Sequence, residues 1–102
     1  MKEGNLSRLI QMEASRLGHR LLRNNTGKLK DERGQWVAFG VGGVGGSDLI
    51  GWTRTGQFAA VEVKTPTGRV SAEQQAFIDG VIAAGGRAGV ARCVEDVARI
   101  LG

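Results

Sequence analysis

An acidic and a basic side chain interrupt an apolar segment near the middle of the chain. The segment is Val61-Glu62-Val63-Lys64. In a strand, residues two apart lie on the same side of the sheet, so Glu62 and Lys64 are expected to be neighbours. Burying a carboxylate or an ammonium group is unfavourable by several kcal/mol unless the charge is paired or binds a metal. We therefore interpret this segment as the chemical centre of the protein.

Two segments around this motif predict a β-hairpin. Residues 48–53 and 57–64 read as strands, and Arg54-Thr55-Gly56 joins them as a three-residue loop with glycine in the left-handed position. This loop places Asp48 directly opposite Glu62, with their Cβ atoms about 4.5–5.5 Å apart. A two-residue loop would instead shift the register and lose this pairing.

Two carboxylates at this separation repel each other unless a divalent cation lies between them. Mg²⁺ and Mn²⁺ prefer oxygen ligands, completed by waters and by substrate phosphate. Asp48 and Glu62 are therefore candidate metal ligands, together with the backbone carbonyl of Val63. Lys64 is then available to orient or activate a water, or to stabilise charge on a phosphate.

The opening segment, residues 5–18, predicts a helix with Asn5 as its N-cap and Gly18 as its stop. Its apolar stripe consists of Leu6, Leu9, Ile10 and Leu17. Glu13 falls on the same face, where a lone glutamate is unexpected. It is the third candidate carboxylate of the site.

A second helix is predicted to begin at Ser71, because Ser71 and Gln74 have the spacing of a capping box. Gln74 also begins the apolar stripe of this helix, so its side chain can reach the cleft. Two interpretations of Gln74, helix cap and site residue, remain open.

The segment Gly40–Gly46 contains five glycines immediately before the candidate strand. It lacks the Gly-Lys-Ser/Thr ending of a P-loop, which argues against nucleotide binding. A flexible loop that lets a substrate backbone approach the metal and a plain linker are the alternatives. For the rest of the chain, we expect strands at 19–24, 36–39 and 87–92, a loop at 28–34 and a helix at 94–101.

Single residues outside these motifs are interpreted as structural. Trp36 and Trp52 are expected in the core rather than stacked on bases. Cys93 is expected to be a packing residue, and His19 to lie at the surface or at a strand end. One cysteine and one histidine do not suffice for a zinc site.

These motifs resemble the PD-(D/E)XK nuclease superfamily: Glu13 on the opening helix, Ser47-Asp48 at a strand start and Glu62-Val63-Lys64 in the next strand. Ser47 stands where the superfamily name has proline, which is not a metal ligand. Asp48-Leu49, the Val61–Lys64 motif and Ser71–Gln74 followed by Phe77 are similar to the VRR-NUC family, the virus-type replication-repair nucleases. We therefore expect an α/β (α+β) fold with an αβββαβ core, as one domain over residues 1–102.

The resemblance implies a Mg²⁺- or Mn²⁺-dependent endodeoxyribonuclease. Asp48 and Glu62 would be its metal ligands and Lys64 its catalytic lysine. Glu13 and Gln74 would support them, with Glu13 holding a second metal or a metal-bound water. Stand-alone members of the family resemble Holliday junction resolvases, which implies a homodimer that cuts four-way DNA junctions. The alternatives are a flap- or restriction-type nuclease, and a non-catalytic basic DNA-binding module of a replication or repair assembly.

The distribution of charge favours a nucleic-acid partner. Residues 1–33 contain eight Lys and Arg against four acidic residues, whereas residues 34–102 contain six of each. This asymmetry predicts a phosphate-facing surface, and a solubilising face is the alternative. The candidate DNA contacts are Arg20, Arg23, Lys28 and Lys30.

The cellular compartment is predicted from cysteine content and hydropathy. A single cysteine cannot form an intrachain disulfide, and the sequence has neither a signal peptide nor an apolar run long enough to cross a bilayer. We therefore expect a cytoplasmic protein of a bacterium, or of a virus that infects one.

Overall fold

Helices and strands follow one another along the chain in a computed structural model, which describes residues 2–102. The elements are α1 (Glu3–Arg16), β1 (Arg20–Arg23), β2 (Gly27–Lys30), β3 (Trp36–Phe39), a 3-10 turn (Gly43–Gly45), β4 (Leu49–Trp52), β5 (Phe58–Val63), α2 (Ala72–Ala83), β6 (Arg87–Ala91) and α3 (Asp96–Leu101). No helix of this described part of the chain combines the length and apolarity needed to span a bilayer.

The central sheet contains four strands in the order β1-β4-β5-β6. The pairs β1–β4 and β4–β5 are antiparallel, whereas β6 runs parallel to β5. A parallel neighbour requires a crossover connection, and α2 provides it. The predicted mixed α+β fold, with helices on a mixed central sheet, is confirmed.

The core lies between one face of the sheet and helices α1 and α3. Alternate residues of β5 point into it, and the fully buried alkyl groups there stabilise the fold by roughly 1.5–3 kcal/mol each. The core side chains include Leu6, Ile10, Ala14, Leu49, Ala59, Val61, Val63, Val97 and Ile100. Ala60 and Glu62 alternate to the opposite face, toward α2.

The β4–β5 hairpin has the register predicted from its loop. Leu49 pairs with Val61 and Trp52 with Phe58. One step further along the ladder, Asp48 lies opposite Glu62. The loop closes through a hydrogen bond of 2.8 Å from the Thr53 amide to the Gln57 carbonyl. Because β5 is buried over all but its first residue, the strand that carries Glu62 is rigidly held.

The predicted loop at residues 28–34 was wrong in its first half. Residues Gly27–Lys30 form β2, which pairs antiparallel with β3 in a separate two-stranded sheet. Asp31 makes the connection possible, because its Oδ1 accepts hydrogen bonds of 2.9 Å from the amides of Arg33 and Gln35. Gly34 completes the turn at φ +76°. Charge at these positions was mistaken for the absence of a strand.

Helix α1 begins at Glu3, two residues before the predicted start, with Lys2 rather than Asn5 at the N-cap. Glu3 stabilises this first turn through its charge. The glycine stop is confirmed in position, since the helix ends at Arg16 and Gly18 adopts φ +93°. The apolar stripe is buried as predicted at Leu6 and Ile10.

The expectations for Trp36, Trp52 and Cys93 were wrong, whereas His19 lies at a strand end as predicted, directly before β1. Trp36 and Trp52 are 65% and 53% exposed rather than in the core, and Cys93 is also exposed. Trp36 is exposed because no layer covers the β2–β3 hairpin; nothing in the structure explains the exposure of Trp52. His19 is buried: its Nδ1 accepts a hydrogen bond from the Arg54 amide at 3.0 Å, and its Nε2 donates to the Gly102 carbonyl at 2.9 Å.

Candidate active site

The two carboxylates of the β4–β5 hairpin form the centre of the site. Asp48 precedes β4, and its Oδ2 accepts a hydrogen bond of 2.9 Å from the Val63 amide. Glu62 is only 2% exposed. Its Oε1 accepts a hydrogen bond of 3.3 Å from Gln74, while its Oε2 has no partner among the described residues. A buried carboxylate oxygen without a hydrogen-bond partner destabilises the fold, so its presence here calls for a functional explanation.

Burial first, and the adjacent Asp48 carboxylate second, raise the pKa of Glu62 from its usual 4.5 to about 8. The ammonium of Lys64 opposes this shift, and the more distant Glu3 carboxylate adds to it. At neutral pH, in the absence of metal, the Asp48–Glu62 pair therefore retains a proton. A metal cation bound between the two carboxylates would replace that proton.

Lys64 lies where the sequence places it, beside Glu62. Its Nζ is 4.0 Å from Glu62 Oε1, and the side chain is 17% exposed. Its amide donates a hydrogen bond of 3.1 Å to the Ala91 carbonyl, which continues the β5–β6 ladder. The ammonium is thus positioned by the sheet yet remains accessible to solvent at one side.

Arg92 fixes the chain immediately after Lys64, and sequence reasoning missed it. Its Nη1 donates hydrogen bonds to the carbonyls of Thr65 at 2.7 Å and Gly68 at 2.8 Å. A guanidinium group has the fixed fork of donors that such a loop requires. The local sequence around Arg92 does not predict this contact, because its partners are 24–27 residues away along the chain.

Gln74 makes contacts that correspond to both interpretations, the helix cap and the neighbour of Glu62. Its Oε1 accepts from the Ser71 amide at 2.9 Å, and Ser71 Oγ accepts from the Gln74 amide at 3.1 Å, which completes the capping box. Its Nε2 simultaneously donates to Glu62. The cap therefore holds the amide group in a fixed orientation against the carboxylate.

The glycine-rich segment before Asp48 packs closely against the start of α2. A Cβ on Gly45 would lie 2.5 Å from the Glu73 carbonyl oxygen, so only glycine allows the segment to approach the start of α2. Asn24 pins both ends of the segment, because its Nδ2 donates to the carbonyls of Val41 at 2.8 Å and Ser47 at 3.0 Å. The Asn24 amide also donates to the Asp48 carbonyl at 2.8 Å. This clamp holds Asp48 in place.

A cavity of about 580 Å³ opens beside Asp48. Asp48 and Val63 belong to its wall, and α1 contributes the opposite side. The α1 residues at the cavity are Glu3, Gly4, Ser7, Arg8 and Gln11. Successive turns of α1 contribute them, so they share one face of the helix.

Glu13 does not join the carboxylate pair in this structure. Its two oxygens accept hydrogen bonds of 2.7 Å from Arg16, and the pKa of Glu13 is lowered by that contact. The α1 carboxylate that lines the cavity is instead Glu3, at the N-terminal end of the helix. The apolar stripe indicated which face of α1 meets the core, but it could not indicate which end of the helix lies near Asp48.

The four predicted DNA-contacting residues separate into two groups. Arg23 lines the cavity, together with Arg8, and Arg20 is exposed at the start of β1. Lys28 and Lys30 are exposed on the β2–β3 hairpin, where Lys30 Nζ lies 5.2 Å from the centre of the Trp36 ring. Positive charge therefore borders the cavity and extends along the hairpin.

Comparison with known proteins shows the family to which the chain belongs. A family model described as the VRR-NUC domain matches residues 1–95. The chain belongs to the VRR-NUC family. A solved structure titled "VRR_NUC domain" is 18% identical and superimposes with a TM-score of 0.63, covering 95% of this chain and 90% of that chain. Together with the family match, this similarity confirms the expected nuclease-type fold. No curated protein matches the chain significantly.

The donor set of this VRR-NUC domain fits a divalent cation. Within residues 2–102, no three His, Cys, Asp or Glu side chains are grouped closely enough to hold a metal ion by themselves. Two opposed carboxylates and the unpartnered Glu62 Oε2 remain as donors, and a backbone carbonyl, waters and phosphate commonly complete such a shell around Mg²⁺. Their hard oxygen chemistry suits Mg²⁺ or Mn²⁺ rather than zinc.

Proposed function

We propose that this VRR-NUC domain is a Mg²⁺- or Mn²⁺-dependent endodeoxyribonuclease that cuts branched DNA. The observation that carries the proposal is the buried Asp48–Glu62 pair, with its unpartnered oxygen and with Lys64 at 4.0 Å. Such a pair destabilises the metal-free fold, so a function for it is the simplest explanation. A non-catalytic DNA-binding module would not need these three side chains together.

Asp48, Glu62 and the Val63 carbonyl would hold the cation, which when bound supplies Lewis-acid stabilisation of charge on the phosphate. Lys64 would orient the attacking water and offset negative charge that develops on the phosphodiester. Gln74 would orient the Glu62 carboxylate through its hydrogen bond of 3.3 Å. The basic rim, including Arg8 and Arg23, would bind the DNA backbone beside the cavity.

We further propose that the enzyme is a homodimer acting on four-way junctions. One Asp48–Glu62–Lys64 constellation cuts one strand at a time, and resolution of a junction needs two cuts in a fixed relation. Two-fold symmetry supplies that relation. A second copy would also add buried area to a chain of 102 residues, whose own core is small.

The test is a cleavage assay with four substrates: a four-way junction, a flap, a bubble and linear duplex. We expect paired nicks in the junction with Mg²⁺ or Mn²⁺ and none in EDTA. Asp48→Asn and Glu62→Gln should abolish cleavage while circular dichroism shows an unchanged fold. Cleavage that survives EDTA or either substitution would refute the metal mechanism. Equal cutting of linear duplex by a monomer in light scattering would refute the resolvase proposal alone.

A further inference from the structure

The β2–β3 hairpin has two chemically different faces. Cross-strand partners share a face, and the residues alternate along each strand. One face carries Lys28, Lys30, Trp36 and Ala38, and the other carries Gly27, Leu29, Val37 and Phe39. Leu29, Val37 and Phe39 are 65%, 49% and 40% exposed. We call this second set the apolar face of the hairpin.

Phe39 connects the apolar face to the cavity beside Asp48, because Phe39 and Asp48 line the same cavity. The ring lies over Gly27, its cross-strand partner: a Cβ added there would be 2.7 Å from Phe39 Cζ. Glycine at position 27 thus seats the ring against the strand. The exposed part of the ring is a preformed aromatic surface at the cavity, beside the candidate metal ligand.

The charges around this surface specify the chemistry of its occupant. Arg8 and Arg23 line the cavity with Phe39, and Lys28 and Lys30 lie on the reverse face of the same hairpin. An occupant must therefore combine an anionic backbone with flat apolar groups. A nucleic-acid strand with unpaired bases has both, since aromatic side chains stack on bases while Lys and Arg contact phosphates.

We propose that the apolar face of the hairpin, led by Phe39, stacks against unpaired bases of the strand whose phosphodiester lies at Asp48. The proposal rests on the nuclease function proposed above and narrows its substrate class. The DNA that fits has unpaired bases next to the bond to be cut, and a fully paired four-way junction fits once the base pair at its branch point opens, where stacking is interrupted. A fully stacked linear duplex cannot present a base to Phe39 without first opening a base pair.

The experiment measures stacking without cleavage. A fluorescent base analogue, 2-aminopurine, is scanned through the nucleotides around the branch point of a synthetic junction, and the cleavage-deficient Asp48→Asn protein is added. We expect one position to show a fluorescence change that Phe39→Ala removes and Phe39→Trp retains. Removal of one base-stacking contact should weaken junction binding on the order of tenfold.

Two further variants separate stacking from other causes. Gly27→Ala should act like Phe39→Ala, because the new methyl group displaces the ring without removing it. Phe58→Ala is the matched control: Phe58 is 42% exposed, close to the value for Phe39, but it lines a different groove. We expect this control to leave fluorescence and affinity unchanged.

The proposal is overturned if Phe39→Ala leaves both the fluorescence and the affinity unchanged. It is also overturned if sedimentation shows that Phe39→Ala turns a dimer into a monomer, since the apolar face would then bind a second copy of the chain. Failure of the nuclease function is distinguishable, because it would appear as absent metal-dependent cleavage by the unaltered protein. The stacking measurement uses no cleavage step and remains readable in that case.

Discussion

Replacing Glu62 by glutamine should stabilise the metal-free protein at neutral and alkaline pH. The carboxyl is nearly fully buried, and its pKa is raised from the ordinary 4.5 to about 8, first by burial and then by Asp48. A raised carboxyl pKa means that the folded state holds a proton which the unfolded state releases. The contribution of Glu62 to the free energy of unfolding is therefore highest below pH 4.5. It falls as the pH rises from 4.5 to 8 and stays low above pH 8.

The size of the effect follows from that shift. Each pKa unit corresponds to about 1.4 kcal/mol, so the full shift corresponds to roughly 5 kcal/mol above pH 8. The side-chain amide that replaces the carboxylate in Glu62→Gln can still accept from Gln74, and it can donate to Asp48 as a protonated carboxyl does. Desolvation of the amide offsets part of the gain, and we expect a net stabilisation of about 2–3 kcal/mol. For a domain of this size, that raises Tm by about 10 °C or more.

The assay is urea or thermal unfolding in EDTA at several pH values between 4.5 and 9, with circular dichroism as the probe of unfolding. Glu62→Gln should gain on the unaltered protein as the pH rises, and the two should converge at the acid end. Glu13→Gln is the matched control: the pKa of Glu13 is lowered by Arg16, so its stability difference from the unaltered protein should stay nearly constant across this range. Parallel stability curves for Glu62→Gln and the unaltered protein across this range would refute the reasoning.

Three other predictions concern turnover and binding. Lys64→Ala should lose most turnover yet keep Mn²⁺ affinity in calorimetry, and Lys64→Arg should rescue it incompletely because guanidinium is planar and bulkier; weakened Mn²⁺ binding would contradict the assignment. Arg92→Ala should lower kcat with little change in KM, since it frees the loop after Lys64, and Arg92→Lys should restore only part; unchanged kcat would exclude a positioning role. Removal of four basic side chains should reduce the steepness of the salt dependence of DNA affinity by roughly 0.9 for each phosphate that is no longer neutralised, and an unchanged slope would mean that they face away from DNA. The four residues to be replaced by serine are Arg20, Arg23, Lys28 and Lys30.

The parts of the site that depend on neighbouring residues were predictable from sequence. The β4–β5 register followed from a three-residue loop ending in glycine, and it placed Asp48 opposite Glu62. The capping box at Ser71 followed from a spacing of three residues, and it fixed Gln74. In both cases the determining interactions lie within a few residues along the chain or across one hairpin.

The parts that depend on tertiary packing were not predictable in the same way. The assignment of Glu13 used the apolar stripe of α1, which reports the direction of the core but not the helix end that meets the sheet. The clamp by Asn24 and the anchor by Arg92 join segments 17–27 residues apart. Asparagine before a turn and arginine after a strand are common, so nothing local distinguishes these two.

The same long-range contacts explain how the fold tolerates its carboxylate pair. Asp48 is fixed through its own carbonyl and the Val63 amide, and Glu62 is held by Gln74 on a strand whose neighbours are buried. Neither carboxylate can swing away to relieve the repulsion, because each is hydrogen-bonded within this frame. The stability lost to the pair is therefore recovered only by a proton or by a cation. We therefore expect Mg²⁺ or Mn²⁺ to raise the Tm of the unaltered protein but not that of Glu62→Gln.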